Sequence, residues 1–443
     1  MRFKAAFLAF LLAAVTAAVS CGGADYPSVG DSWTVGFGES AVFLDLSDRS
    51  AGEYYIAGFR SDNPATGILD DQTVRALWLD DNTGRGGILF IVADCVGLSS
   101  ADCGRIKEAV KPVIRLSGRI CRDIFVISTH DHAGIDTLGM WGEVGICGKN
   151  ENFMRELKNS AVTAVSNAIL APYADIGEAE VEYRKAAVSG LRDSRPPEYT
   201  DKWCHSLEIT RGGTTPVTVY NIGIHAETLG GGNSLVSSDF PGYLYEMHRN
   251  YMSNAIFIPG ALGGLVVPAN GMPMISPEIE VKTDISPSIE LASAEITVPL
   301  DNPIFAVLKT LGVIDHKTVP CGSSTGLGIR TRVTLLRLGG VLDIMLVPGE
   351  LTPELAYSLD PDVTALDTLV PEGHELLIFS LADDEIGYIL PEKGFMTDEE
   401  LPYLAECVDE TGEKHYEETN SAGPKTFEVI FDAFSSLYKK MDG

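Results

Sequence analysis

The feature that most constrains this chain is a set of apolar runs of strand length, each ending in residues able to do chemistry. Gly86-Gly87-Ile88-Leu89-Phe90-Ile91-Val92-Ala93 and Asp123-Ile124-Phe125-Val126-Ile127-Ser128-Thr129 are apolar at both alternating positions. Because strand side chains point alternately to opposite faces, such runs read as strands buried on both sides. A third strand is read over Val217 to Ile224, and Arg332 to Leu346 reads as two strands joined at Gly339-Gly340, a two-residue hairpin signal. Helical spacing separates them. Asn152 to Leu170 carries Phe153, Leu157, Val162, Val165, Ala168 and Ile169 on one face, and Ile106 to Leu116 forms another helix that Pro112 should kink. Ser238-Asp239 caps a helix running to Asn250 with Pro241 in its first turn, and Lys425 to Lys440 closes the chain as an amphipathic helix. The alternation predicts an α/β fold, with a mixed β-sheet core, flanking helices and a ligand site at strand ends.

At 443 residues, 45% hydrophobic, the chain can bury one large core or two to three ordinary ones. Its net charge of −29, from 62 acidic and 33 basic residues, makes nucleic acid a poor partner. Arg2 and Lys4 precede an apolar run from Ala5 to Val19, which ends in Ala18-Val19-Ser20-Cys21. This is the pattern of a lipoprotein signal peptide over residues 1–20, with Cys21 lipidated and the mature chain anchored in the bacterial periplasm or at the cell surface. A plain secretory signal is the alternative. Of the seven remaining cysteines, Cys95 with Cys103 and Cys121 with Cys147 are close enough in sequence to pair, and the odd count leaves a thiol free.

The eight histidines are few enough to be informative. His130 and His132 follow a buried strand in Ser128-Thr129-His130-Asp131-His132-Ala133-Gly134, where period-two alternation would turn both imidazoles to one face. His225 ends another strand ahead of Gly230-Gly231-Gly232, and Glu350 follows a strand in Val347-Pro348-Gly349-Glu350. Taken singly, His225 also suits a core position, and Glu350 also suits a cap for a helix beginning near Pro353. Together, two histidines and a carboxylate make the donor set of a catalytic zinc site that leaves a position open for water. The helical H-E-x-x-H pattern is absent. Gly322-Ser323-Ser324-Thr325-Gly326 matches G-x-S-x-G, but it lacks the strand and helix that would make Ser324 a nucleophile and reads as a loop.

In order along the chain, these segments resemble the catalytic domain of the neutral/alkaline non-lysosomal ceramidases, from about Val35 onward. The resemblance rests on Ser128-Thr129-His130-Asp131-His132-Ala133-Gly134, on Ile224-His225 through Asn233-Ser234-Leu235-Val236-Ser237-Ser238-Asp239, on Pro348-Gly349-Glu350, on Gly387-Tyr388 and on His415-Tyr416-Glu417-Glu418. It implies one catalytic domain over residues 30–443 without the family's C-terminal immunoglobulin-like domain. It also implies one zinc ion per chain, held by His130, His225, Glu350 and Tyr388, and hydrolysis of an N-acyl, ceramide-like amide. His132 would face the reacting carbonyl or water, Tyr416 would hydrogen-bond substrate, and Arg195 (or Arg192) would contact it. One departure bears on substrate. Where the family carries serine in G-D-x-S-P-N, this chain has Val267 within Gly264-Leu265-Val266-Val267-Pro268-Ala269-Asn270. Another small amide or ester substrate, or a metal-containing surface lipoprotein that binds without cleaving, are the alternatives that this replacement raises.

Overall fold

The apolar runs become neighbouring strands in two facing sheets. The computed structural model describes residues 26–143, 145–172, 174–192 and 199–442; the expected leader, Cys21 and Arg195 lie outside the described residues. The first sheet is built from β1 (Trp33–Ala41), β2 (Thr73–Asp80), β3 (Gly87–Ala93), β4 (Cys121–Ser128), β5 (Asp175–Ser189), β6 (Trp203–Arg211), β7 (Val217–Ile222), β8 (Asn254–Pro259) and β9 (Met274–Asp284). Its spatial order is β8-β7-β6-β5-β1-β2-β3-β4, with β9 paired to β5. The second comprises β10 (Ile289–Leu300), β11 (Thr318–Pro320), β12 (Leu327–Leu338), β13 (Leu342–Leu346) and β14 (Glu375–Phe379), in the order β10-β12-β13-β14 with β11 on β12. Parallel pairs β3–β4, β7–β8 and β13–β14 within otherwise antiparallel ladders make both sheets mixed.

Two-sided burial explains why the strand sequences lack alternation. Ile88, Phe90 and Val92 of β3 face Leu336, Leu338, Leu342, Ile344 and Leu346 of the second sheet in one shared core. The intervening Leu89, Ile91 and Ala93 point the other way, onto α1 (Ser100–Ser117) and α2 (Glu151–Ile169). Each of these side chains larger than alanine contributes about 1.5–3 kcal/mol on full burial. α3 (Asp239–Asn250) packs Phe240 and Leu244 against Ala255 and Phe257 of β8. The outer face of the second sheet is covered by α4 (Pro303–Leu311), the short α5 (Pro353–Ala356) and α6 (Thr426–Met441), through Phe305, Leu355, Ile430 and Phe434. The result is a helix/sheet/sheet/helix stack.

Local chemistry sets the element ends. Gly339 and Gly340 both take positive φ, 62° and 69°, as the tight turn between β12 and β13 demands. α1 begins six residues before the apolar periodicity does, because Ser99 caps it by accepting from Asp102 N–H, and Pro112 is accommodated without ending the helix. The expected cysteine pairs do not form. All seven cysteines from Cys95 onward are free thiols, and buried Cys95 and Cys103 face separate partners, Ser128 Oγ at 3.4 Å and the Leu98 carbonyl at 3.9 Å.

Candidate metal centre

His130 owes its position to a kink, not to the strand pleat. β4 stops at Ser128, and two residues later His130 adopts φ +61°, a left-handed conformation that costs a non-glycine residue about 1–3 kcal/mol. Hydrogen bonds on either side hold it there, Thr129 N–H to the Ala93 carbonyl (3.0 Å) and Asp131 N–H to the Cys95 carbonyl (3.1 Å). Nδ1 of His130 lies 2.8 Å from the Val96 carbonyl, which can only accept, so Nδ1 carries the proton and Nε2 keeps its lone pair for the site.

His225 lies three residues beyond β7, its backbone N–H bonded to the Val266 carbonyl at 2.8 Å. The two histidine loops are laced together by an Asp131–Ala226 bridge and by His132 N–H donating to the Ala226 carbonyl at 2.9 Å. Glu350 arrives from the second sheet, beyond β13. It begins a two-residue strand, Glu350–Leu351, paired in parallel with Tyr388–Ile389, and its N–H donates to the Gly387 carbonyl at 3.1 Å. These backbones bring one carboxylate oxygen, Oε2 of Glu350, to 3.2 Å from Nε2 of both His130 and His225. Ring nitrogens of His130, His132 and His225 lie within 4.8 Å of one another. The two imidazoles and the carboxylate that converge are buried, His225 at 0%, His130 at 4% and Glu350 at 6% exposure, while His132 is partly exposed.

Electrostatics sharpen the arrangement. Burial opposes ionisation of Glu350, but the facing His130 and His225 imidazoles outweigh it and hold the carboxyl well below its ordinary range. Burial also works against a proton on His130, and there the carboxylate wins, raising the imidazole. His132 has no such compensation. Burial, then the neighbouring His130 and His225, push it far below the usual histidine range, so it is a neutral base. Buried and unpartnered atoms collect here: Nε2 of His130, both ring nitrogens of His132 and Nδ1 of His225. Orphaned donors and acceptors of this kind call for a ligand. Around a tetrahedral ion with bonds of about 2.0–2.1 Å, donor atoms stand about 3.3 Å apart, and the 3.2 Å spacings match. The residues present therefore fit a divalent cation.

A cavity of about 310 Å³ opens onto His130, His132 and Glu350, with Tyr388 and Tyr416 on its wall and an apolar side of Phe59, Leu138, Met140, Trp141, Phe305 and Ile314. The hydroxyls of Tyr388 and Tyr416 are 3.1 Å apart. Val267 is buried in a short strand paired with Leu191–Arg192; it does not line the cavity, and its link to the site is through its neighbour Val266, whose carbonyl accepts from His225 N–H. Ser324 lies in a turn, its hydroxyl bonded to the Asp301 carbonyl at 3.0 Å, away from this cavity.

Sequence reasoning missed three participants. Glu385 lines the cavity. One of its oxygens accepts from Gly387 N–H at 2.8 Å, the other is buried without a partner, and burial, followed by the Glu350 charge, pushes the carboxyl well above its usual range. Glu227 Oε2 stands 3.5 Å from His132 Nδ1; its position two residues after His225 was the available signal. Gly58 backs the His132 ring, a contact between distant segments that no local pattern announces.

No family model matches this chain, and no curated protein matches it by sequence. Among solved structures it is similar to neutral ceramidase from Pseudomonas aeruginosa, with TM-score 0.66 and 15% identity over 93% of this chain and 75% of that one. It is likewise similar to a ceramidase complexed with C2, with TM-score 0.67 and 14% identity over 92% and 75% of the two chains. The fold is that of the neutral ceramidases.

Proposed function

We propose that this protein is a zinc-dependent hydrolase of an N-acyl, ceramide-like amide, with His130, His225, Glu350 and Tyr388 as ligands of one ion. The observation that carries the reading is the convergence of two imidazoles on a single carboxylate oxygen, 3.2 Å from each, beside a cavity with one polar and one apolar side. A zinc ion held there supplies a Lewis acid for a carbonyl and lowers the pKa of water to about 7. The chain's own residues do the rest. The Val96 carbonyl fixes the His130 tautomer. His132, neutral and facing the cavity, accepts a proton during attack and returns it to the leaving amine. The Tyr416 hydroxyl orients the substrate by hydrogen bonding, and the apolar wall of Phe59, Leu138 and Trp141 excludes water from an acyl chain. Arg195, outside the described residues, is proposed as a substrate contact.

Elemental analysis should find zinc in the purified protein, and a panel of fluorescent N-acyl amides should release fatty acid. His130→Ala and Glu350→Ala should lose both metal and turnover; wild-type zinc content in either variant would overturn the ligand assignment. Val267 favours a second reading, turnover of a different small amide or ester, because a buried valine fills the family's serine position without its hydroxyl. Turnover of such substrates at ceramide's expense would select it, whereas zinc without turnover on any acyl amide or ester would select a binding role. The N-terminal pattern supports export and anchoring through Cys21. Fatty-acid labelling that survives Cys21→Ser would reject the anchor.

A further inference from the structure

Immediately before Tyr416 the chain forms a hairpin in which Cys407–Val408 pairs with Lys414–His415. Asp409 and Glu413 lie one residue beyond the two strands, two from Cys407 and His415 respectively, and are joined by Asp409 N–H donating to the Glu413 carbonyl at 3.0 Å. With period-two alternation, Asp409, Glu413 and His415 therefore share one face. Oδ1 of Asp409 is fully engaged by the turn, accepting from Thr411 N–H (2.8 Å), Thr411 Oγ1 (2.7 Å) and Glu413 N–H (2.9 Å). Its other oxygen is left facing Nε2 of His415 at 3.7 Å, too far for a hydrogen bond.

The imidazole is the telling group. His415 is only 6% exposed, and its Nδ1 lies 2.7 Å from Oε1 of Glu418. A carboxylate on Nδ1 fixes the proton there and directs the Nε2 lone pair outward, the arrangement that raises the basicity of metal-ligating histidines. Nε2 is buried and has no hydrogen-bond partner. It points instead at Asp409 and Glu413, whose donor oxygens lie within 4.8 Å of it and of each other.

We propose that Asp409, Glu413 and His415 form a second divalent-cation site, separate from the His130–Glu350 centre, whose ion fastens the segment bearing Tyr416 against the cavity. One imidazole and two carboxylates are a donor set for a zinc-class ion, since calcium takes six to eight oxygens. His415 immediately precedes Tyr416, whose hydroxyl sits 3.1 Å from that of Tyr388, so an ion on the hairpin restrains a residue on the cavity wall.

The test is calorimetric titration of zinc chloride into the chelator-stripped full-length chain, in wild type, Glu413→Gln and Asp409→Asn, and again in a His130→Ala background. Gln and Asn keep the shape of the acids they replace, and the side-chain carbonyl that Asp409→Asn leaves in place can still accept the turn's hydrogen bonds. Each hairpin variant should lose one zinc equivalent, or bind it at least tenfold more weakly, in both backgrounds; the His130→Ala arm separates this site from the proposed catalytic one. Zinc stoichiometry and affinity equal to the parent in both hairpin variants would overturn the proposal, leaving His415 as a protonated partner of Asp409 and Glu418. Saturation of the site by millimolar calcium but not by zinc would overturn its chemical class.

Discussion

Gly58→Ala, set against Gly52→Ala, isolates the contribution of His132. Both glycines hold nearly the same left-handed backbone, φ +102° and +101°, so alanine should cost each about 1–3 kcal/mol of strain. They differ in what a new methyl group meets. At Gly52 nothing lies within 4 Å, whereas at Gly58 the Cβ would sit 2.5 Å from Cγ and Nδ1 of His132. Ordinary contact begins near 3.4 Å, so the ring must retreat by about 0.9 Å. A displacement of about 1 Å in a reacting group costs on the order of 10²-fold in rate. Gly58→Ala should therefore lower kcat/KM for the best N-acyl substrate by about 10²-fold while keeping its zinc, because His132 is not among the proposed ligands. Gly52→Ala should lose comparable stability in urea and keep its activity. Equal activities in the two variants would refute a catalytic role for His132, and zinc lost from Gly58→Ala would make His132 a ligand.

Further outcomes follow from other groups. His225→Ala removes an imidazole 3.2 Å from Glu350 and should lower bound zinc by one equivalent per chain in elemental analysis; an unchanged count would remove His225 from the ligand set. Asp343 is wholly buried and accepts from Arg337 Nε (2.7 Å), Arg337 Nη2 (3.2 Å) and Tyr438 Oη (2.9 Å), so Asp343→Asn should cost about 3–5 kcal/mol, read as a lower urea midpoint. Burial, aided by Lys185, lowers the His205 pKa to about 3, so the folded state refuses a proton that the unfolded chain takes below about 6.5. Its stabilising effect is complete above that value and fades by up to about 1.4 kcal/mol per pH unit as acid is added. Wild type should accordingly lose stability faster than His205→Gln between pH 6.5 and 4, and parallel denaturation curves would contradict this.

How much was legible depended on whether a property is local. β3 and β4 could be read because burial on both faces leaves an unbroken apolar run; α3 does start at Asp239, but Ser238 makes no capping hydrogen bond, its hydroxyl donating instead to the Asp71 carbonyl at 2.8 Å. The start of α1 was missed because its first turn, held by Ser99 and Asp102, carries no apolar periodicity. That Phe90 faces the second sheet while Leu89 faces helices is a tertiary fact, and the sequence of β3 reads the same either way. The site divides along the same line. His130, His225 and Glu350 were candidates because each follows a strand, and Tyr388 came only through the family resemblance. The Val96 carbonyl that sets the tautomer of His130 comes from a different strand's loop, 34 residues away, and nothing local marks it.

The positions of these residues in the two sheets carry a mechanical consequence. His130 and His225 extend from strands of the first sheet, β4 and β7, while Glu350 and Tyr388 extend from β13 and β14 of the second. The cluster therefore sits where the sheets meet, and its geometry is set by how they dock. The backbone stitches them at this end: Val126 N–H donates to Asp383 Oδ1 (2.9 Å), Asp383 N–H to the Val126 carbonyl (2.7 Å), and Ile127 bridges Ala382. An apolar interface alone resists sliding poorly, since one aliphatic side chain packs about as well against another after a small shift. Directional bonds at the strand tips fix the register that the shared core, with Phe90 and Ile344 in it, leaves loose. Oε2 of Glu350 is thereby held 3.2 Å from both imidazoles before any ion arrives. Preorganisation of this kind removes the reorganisation cost from ligand binding, which is why a cation site can be built from two layers whose strands are far apart in sequence.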